Sequence, residues 1–339
     1  MRTARVIGHG GTGYYHCMSR IIDDRCTFNR RDKEKFTTYM RNFEEFCGVK
    51  ILTYSILSNH WHILVKIPER QELSDTELIR RLHIIYGRTY VSQVQTELQK
   101  LREEGNDARA EALKQRYTYR MWDLSEFIKA LKQSFTMYYN KKHRRRGTLW
   151  DQRFKSILVE NSTHALSTMA AYIDLNAVRA GLVSDPKDYR WCGYGEAMGG
   201  SKVARAGLGM VMEHLDQGGS WRQTRSAYRR YVYSVGEQRG IDPEGRPVRA
   251  GFSSEQVAQV LEAGGKLPLH EMLRCRVRYF SDGVVLGSKG FVEDVFGEYR
   301  DEFGLKRESG ARSMKYAEWD GLCTMRDLRK AVIFVPQAP

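Results

Sequence analysis

The chain of 339 residues holds three local groupings of side chains with the types and spacing that chemistry needs. The first is His60-Trp61-His62. On a β-strand, residues i and i+2 project from one face with Cα atoms about 6.6 Å apart, so two imidazoles can close on one divalent metal ion or on one phosphate. Apolar runs flank the pair, Tyr54 to Leu57 before it and Ile63 to Val65 after it. Desolvation there lowers an imidazole pKa and favours the neutral, metal-ligating form. Ordinary core and surface histidines show the same spacing. The second grouping is Tyr172-Ile173-Asp174-Leu175-Asn176. Tyr172 and Asn176 are four apart and so neighbours on one helical face, where a phenol beside a carboxamide pairs a nucleophile with a neutral oxygen ligand for a hard cation. On spacing alone, a core tyrosine with a capping asparagine is the commoner arrangement. The third is the basic run Lys141, Lys142, His143, Arg144, Arg145, Arg146, followed by Trp150 and Arg153, with Tyr138, Tyr139 and Phe154 close by. Cations for phosphates and rings for unstacked bases are what single-stranded nucleic acid requires, although charge runs are often only solvated.

The elements that must position these groups alternate in type. Tyr14 to Ile22 is β-prone, and Phe36, Met40, Phe43 and Cys47 recur at helical spacing until Gly48. Lys50 to Ile67 reads as a β-hairpin turning at Ser58-Asn59, its second strand starting near His60. Residues from 69 to about 118 are charged and helix-prone, and read as a solvated helical hairpin inserted into the domain. Asp123 is a plausible N-cap for a helix carrying Phe127, Leu131 and Phe135, and Phe154 to Glu160 is a strand. A last helix starts near Ser162 and carries Leu166, Met169 and Tyr172, its apolar side continuing through Leu175, Val178 and Leu182. The order β-α-β-β-(helices)-β-α predicts an α+β fold, a small antiparallel sheet with helices on one face. The glycine-rich stretch 197–219 reads as a linker between a domain of residues 1–196 and a C-terminal α/β accessory domain of residues 220–339. In the latter, Ser254 to Ala263 and Phe291 to Phe303 are helix-prone and Arg276 to Leu286 β-prone. Ser288-Lys289-Gly290 ahead of Phe291 reads as an ordinary helix cap in preference to a phosphate site.

Composition narrows the function. Lys plus Arg total 55 against 41 acids, a net charge of +14, which favours a polyanionic partner over a merely basic enzyme. With 41% hydrophobic residues and only 7 prolines, the chain is neither generally disordered nor fibrous. No run approaches the ~18 apolar residues of a membrane span, and Met1 to Gly13 lacks the apolar core of a secretory signal, so no membrane contact and a cytoplasmic location are expected. The six cysteines form no C-x-x-C pair, which argues against zinc ribbons and for reduced, mostly buried thiols. Neither a Walker-type loop nor a strand followed by G-x-G-x-x-G is present.

Three segments together, LTYSILSNHWHILVKIPE, SFTMYYNKKHRRRGTLWDQRFKSILVE and AYIDLNAVRAGLVSDPKDYRWCGY, resemble the HUH single-tyrosine transposases (IS200-like), and among them most closely the REP-associated tyrosine transposases. The resemblance covers roughly residues 8–196, interrupted by the insertion at about 70–118. It implies a ferredoxin-like core with the H-x-H on a central strand and the tyrosine on a helix packed across from it. It further implies that His60 and His62 bind a divalent ion, Mg²⁺ or Mn²⁺, that Asn176 completes the metal site, and that Tyr172 is the nucleophile. Many relatives have proline where this chain has Ala177, while Val178-Arg179-Ala180-Gly181 agrees. Tyr138 and Tyr139 are rival nucleophiles, but neither has an amide four residues later.

The implied activity is metal-dependent cleavage and rejoining of single-stranded DNA near hairpin-containing repeats, through a 5′-phosphotyrosine, by a monomer or homodimer. Lys141, Lys142, Arg144, Arg145, Arg146, Trp150 and Arg153 would hold the strand. A non-catalytic hairpin DNA- or RNA-binding protein or repressor is the competing reading, and a hydrolytic phosphodiesterase, which needs no tyrosine, is a third.

Overall fold

The two-residue period of a strand sorts its side chains onto opposite faces, and β1 (Gly13–Arg20) and β3 (His60–Ile67) use both faces for packing. Tyr15, Cys17, Trp61, Ile63 and Val65 enter one core, while Tyr14 and Leu64 enter another. The computed structural model describes residues 6–8, 11–22, 27–213, 220–233, 239–241, 247–249, 269–303, 306–325 and 333–334. Strands β1, β2 (Lys50–Ile56), β3 and β4 (Lys155–Val159) are arranged β2-β3-β1-β4, with every neighbouring pair antiparallel. That is the ferredoxin-like order expected from the sequence.

One core lies between this sheet and helices α1 (Arg30–Cys47) and α5 (Leu124–Lys142), where Phe36, Met40, Phe127, Leu131 and Phe135 meet Trp61. α1 begins in a capping box of Asn29 and Asp32 and ends at Gly48, whose φ of 70° is left-handed. A Cβ on Gly48 would also press into the Arg81 and Trp122 side chains. α5 starts at the expected N-cap, Asp123. The insertion forms three helices where a hairpin was expected: α2 (Asp75–Ile85), α3 (Arg88–Glu103) and α4 (Asp107–Thr118). It is not simply solvated, because Leu78, Leu82, Val91, Leu98 and Leu113 join the same core.

The expectation of helices on one face only is corrected by the second core. α6 (Thr163–Asp174) crosses the opposite face, capped by Ser162, with ten consecutive buried residues from Ala165 to Asp174. It is covered on every side, which is why its sequence is apolar without a polar stripe. The helix is interrupted at Leu175, and a single turn, α7 (Asn176–Arg179), follows. α8 (Gly193–Met198) and α9 (Lys202–Met212) lie in the segment read as a linker; α9 is packed against β2, and a Cβ on its Gly207 would come within 2.4 Å of the Ile51 carbonyl. α10 (Trp221–Tyr233) packs against α6 and α9.

The C-terminal strands also depart from the reading of a separate accessory domain. A hairpin of β5 (Arg239–Ile241) and β6 (Pro247–Arg249) and a pair of β7 (Arg276–Val277) with β11 (Ile333–Phe334) stand alone. β8 (Val285–Gly287), however, pairs parallel with β4, and β10 (Cys323–Met325) and β9 (Ala311–Ser313) extend the same sheet to seven strands. The β-prone patch 276–286 is therefore two short strands around a helical turn, Tyr279–Asp282. The helix expected over 291–303 is Lys289–Glu298, with Ser288 as its cap and the Glu160 carboxylate accepting from the Ser288 N–H and O–H. The expected helix at 254–263 lies outside the described residues, as does Cys26; the other five cysteines form no disulfide and are buried. Among the described residues no helix is long and apolar enough to cross a membrane.

Asp174 ties these layers together. Its carboxylate accepts from Thr53 Oγ1 on β2 (2.7 Å), Tyr228 Oη on α10 (2.5 Å) and the Tyr194 N–H (3.2 Å). A register irregularity between Ile51 and Thr53 accompanies the turn of Thr53 toward this site. Burial lifts the Asp174 pKa to about 6, against the pull of its three donors. Asp174→Ala leaves those donors without an acceptor, and the expected loss is about 3 kcal/mol in urea unfolding. The folded carboxyl binds its proton more tightly than the unfolded one, so its linked stability is full below pH 3.8 and lost as pH rises through about 6. The alanine variant should therefore lose more stability relative to wild type at pH 4.5 than at pH 7; an equal loss at both would contradict the assignment.

Candidate active site

His60 and His62 leave β3 on its α6 face, and Trp61 between them goes to the opposite core. α6 crosses that face and sets the Tyr172 ring 6.3 Å from the His62 ring, edge to face. His60 and His62 are 5.3 Å apart, also perpendicular. The Asn176 carboxamide nitrogen lies 3.3 Å from His60 Nε2. The four residues named from the sequence thus line one cleft of about 520 Å³, together with Arg20, Arg153, Lys155, Arg179 and Arg276. A wider groove of about 810 Å³, lined by Glu34, Tyr54, Trp191 and Glu196 among others, contains none of them.

A third imidazole went unread in the sequence. His16, fully buried on β1, faces the same side of the sheet, and its Nε2 is 2.8 Å from His62 Nδ1. Its rank two residues from Met18, the partner of His62 in the ladder, is the signal: a polar residue amid a buried strand, placed by register and not by local spacing. His16 Nδ1 has no partner of hydrogen-bond geometry, while the nearby Phe280 backbone favours a proton on the ring against the effect of burial.

The electrostatics are uniform. Burial, aided by Arg20 and Arg179, pulls His60 to about 3, and burial pulls His16 to about 3 as well. His62 falls well below its ordinary value, first by burial and then by its two imidazole neighbours. All three rings are neutral near pH 7, so each carries one proton and one lone pair. His60 Nδ1 is 2.7 Å from Asn59 Oδ1, which can only accept there, so the His60 proton sits on Nδ1 and the lone pair on Nε2. With the proton of the shared contact on His62 Nδ1, the Nε2 atoms of His60 and His62 both carry outward lone pairs. Among the described residues no group of three or more His, Cys, Asp or Glu is arranged to hold a metal ion. The neutral polar groups gathered at this end of the cleft are the His60 and His62 imidazoles and the Asn176 carboxamide.

The Tyr172 ring is nearly enclosed, its residue 3% exposed. Arg179 Cζ lies 3.9 Å from the ring centroid and Phe280 packs at 4.7 Å. Arg179 comes from the single turn that follows α6, and Phe280 from the C-terminal region. The rival tyrosines lie on the other side of the sheet: Tyr139 is buried with its hydroxyl on the Thr27 carbonyl, and Tyr138 packs against the α1–α5 core.

The basic run is divided by the structure. Lys142 donates to Asp32 at 2.6 Å, and Arg145 donates to Asn140 Oδ1 and the Thr148 carbonyl at 3.2 Å, so these two hold the loop. Lys141, Arg144 and Arg146 are exposed, and Arg153 lies on the cleft. Trp150 requires correction as a base-stacking ring. It is 8% exposed, packed among Phe28, Phe36, Trp61 and Phe135, and its Nε1 donates to Thr136 Oγ1 at 2.9 Å. The apolar requirement of that core takes the ring that the sequence offered to nucleic acid.

Residues 11–106 match the family described as transposase, IS200 like. The matched span includes His16, His60 and His62 and ends before Tyr172 and Asn176. A solved structure of a REP-associated tyrosine transposase bound to a REP hairpin aligns at 14% identity, covering 60% of this chain and 90% of that one, with a TM-score of 0.37. No curated protein matches the chain. The family resemblance expected from the sequence is thus found over residues 11–106.

Trp150→Ala should cost about 3–5 kcal/mol in chemical unfolding, while Arg144→Ala with Arg146→Ala should stay within about 0.5 kcal/mol of wild type. A neutral Trp150→Ala would remove the tryptophan from the core and return it to the strand-binding surface.

Proposed function

We propose that this protein is a single-stranded DNA transesterase of the transposase kind, which nicks and rejoins strands beside hairpins through Tyr172. The observation that carries the reading is the meeting of a phenol on α6 with the His60–His62 pair in one basic cleft, 6.3 Å from ring to ring at its nearest pair. A hairpin-binding repressor on the same fold has no use for that meeting.

The donor chemistry fits a divalent ion. Two neutral imidazoles present Nε2, their Nδ1 atoms being engaged by Asn59 and His16, and a half-turn of the Asn176 carboxamide presents its oxygen. Mg²⁺ or Mn²⁺ bound by His60, His62 and Asn176 would supply Lewis acidity toward a non-bridging phosphate oxygen. Everything else falls to the chain itself. Arg179 and Phe280 fix the Tyr172 ring and exclude water from its faces. The Tyr172 hydroxyl oxygen attacks phosphorus, the bond from phosphorus to the 3′-oxygen breaks, the phenol proton is given up and the 3′-oxygen leaves as a hydroxyl. A phosphate ester is retained throughout, so a 3′-hydroxyl can reverse the step and join strands without ATP. The exposed cations Lys141, Arg144, Arg146 and Arg153 hold the flanking strand through its phosphates.

On a denaturing gel, wild type incubated with Mn²⁺ and hairpin-bearing single strands should give a covalent protein–DNA band. Tyr172→Phe should lose the band and keep its affinity within about two-fold, and His60→Ala should lose cleavage by at least ~100-fold. A band that persists in Tyr172→Phe, or undiminished cleavage in EDTA, would overturn the roles; binding without any adduct in wild type would favour the repressor.

A further inference from the structure

Arg179 differs from the other cations of the cleft. Arg20, Arg153 and Lys155 are exposed, and Lys155 is paired with Asp282 at 3.4 Å. Arg179 is half-buried, stacked on the Tyr172 ring, and donates Nη1 to the Leu273 carbonyl at 2.7 Å. Among the described residues no carboxylate lies within ion-pair distance of it, and the other charged side chain acting on it is a second cation, Arg276. Burial and that neighbour both draw its pKa down from the ordinary value. A cation drawn out of water without a counter-charge is costly, and an anion entering the cleft would offset that cost.

We propose that Arg179 is the anion site of the cleft, receiving the DNA phosphate that lies beside the Tyr172 hydroxyl. The proposal rests on the DNA reading above and deepens it by naming the residue that grips the reacting phosphate. A guanidinium has five donors in a planar fork, and one is spent on Leu273, so a phosphate can be met by two parallel N–H groups while the plane stays on the phenol. One side chain then fixes both reactants: its face positions the nucleophile and its edge the electrophile. The anchor at Leu273 also makes the C-terminal region part of the site, through residues that lie beyond the segment matching the transposase family.

The test is binding, which needs no cleavage. Fluorescence anisotropy in EDTA with a hairpin-bearing single strand compares wild type, Arg179→Gln and Arg179→Lys over a salt series. Arg179→Gln should weaken binding about ten-fold or more and lower the slope of log K against log salt by about 0.7, while Arg179→Lys keeps the slope. In a scan of single methylphosphonates along the strand, one position should weaken wild type and leave Arg179→Gln unaffected. A purely structural role would weaken both variants alike, with unchanged slope and the same methylphosphonate profile as wild type, and that result overturns the proposal. Absence of strand binding by wild type is a distinct result, which sinks the DNA reading and this assignment with it.

Discussion

The pleat of β3 is the constraint on which the site depends. Because its side chains alternate, Trp61 can be driven into the α1–α5 core only if His60 and His62 both face the other way, toward α6. The apolar energy of a buried indole therefore fixes the orientation of two imidazoles that gain nothing from burial themselves. A slip of one residue would put Trp61 against Tyr172 and both histidines into an aromatic cluster of Phe36, Phe135 and Trp150. Register and site are one property.

Having been turned into the second core, the imidazoles stay neutral because burial removes the charged form, and neutrality makes each a donor with a single lone pair. Neighbours then engage one nitrogen of each ring and leave Nε2 facing the cleft: Asn59 for His60, and His16, across the ladder, for His62. Asp174 performs the corresponding service for α6. By joining β2, α8 and α10 to one carboxyl two residues from Tyr172, it sets the level at which the phenol crosses the sheet.

Much of this was legible in the sequence, and what was not follows a pattern. The caps at Asp123 and Ser162 and the stop at Gly48 are local, so type and spacing suffice to read them, whereas the H-x-H pair and the Tyr172–Asn176 spacing also fit ordinary core residues and stood out only through the resemblance of three segments taken together. His16 was missed because its partner is 46 residues away and is chosen by the β1–β3 register. Trp150 was misassigned because an aromatic beside arginines looks alike whether a base or a protein core receives it. The helices on the second face and the added strands were hidden for different reasons. α6 is apolar all round and carries no stripe to show which way it faces, and strands of three residues, such as β8 and β10, are too short to display a period of two.

The central claim is that the phenol on α6 is the group that becomes joined to DNA, and peptide mapping of the joined species tests it most directly. Mass spectrometry of the digested adduct should place a nucleotide 5′-phosphate on the peptide that contains Tyr172. Finding it instead on the peptide of Tyr138 and Tyr139, on the far side of the sheet, would contradict the account.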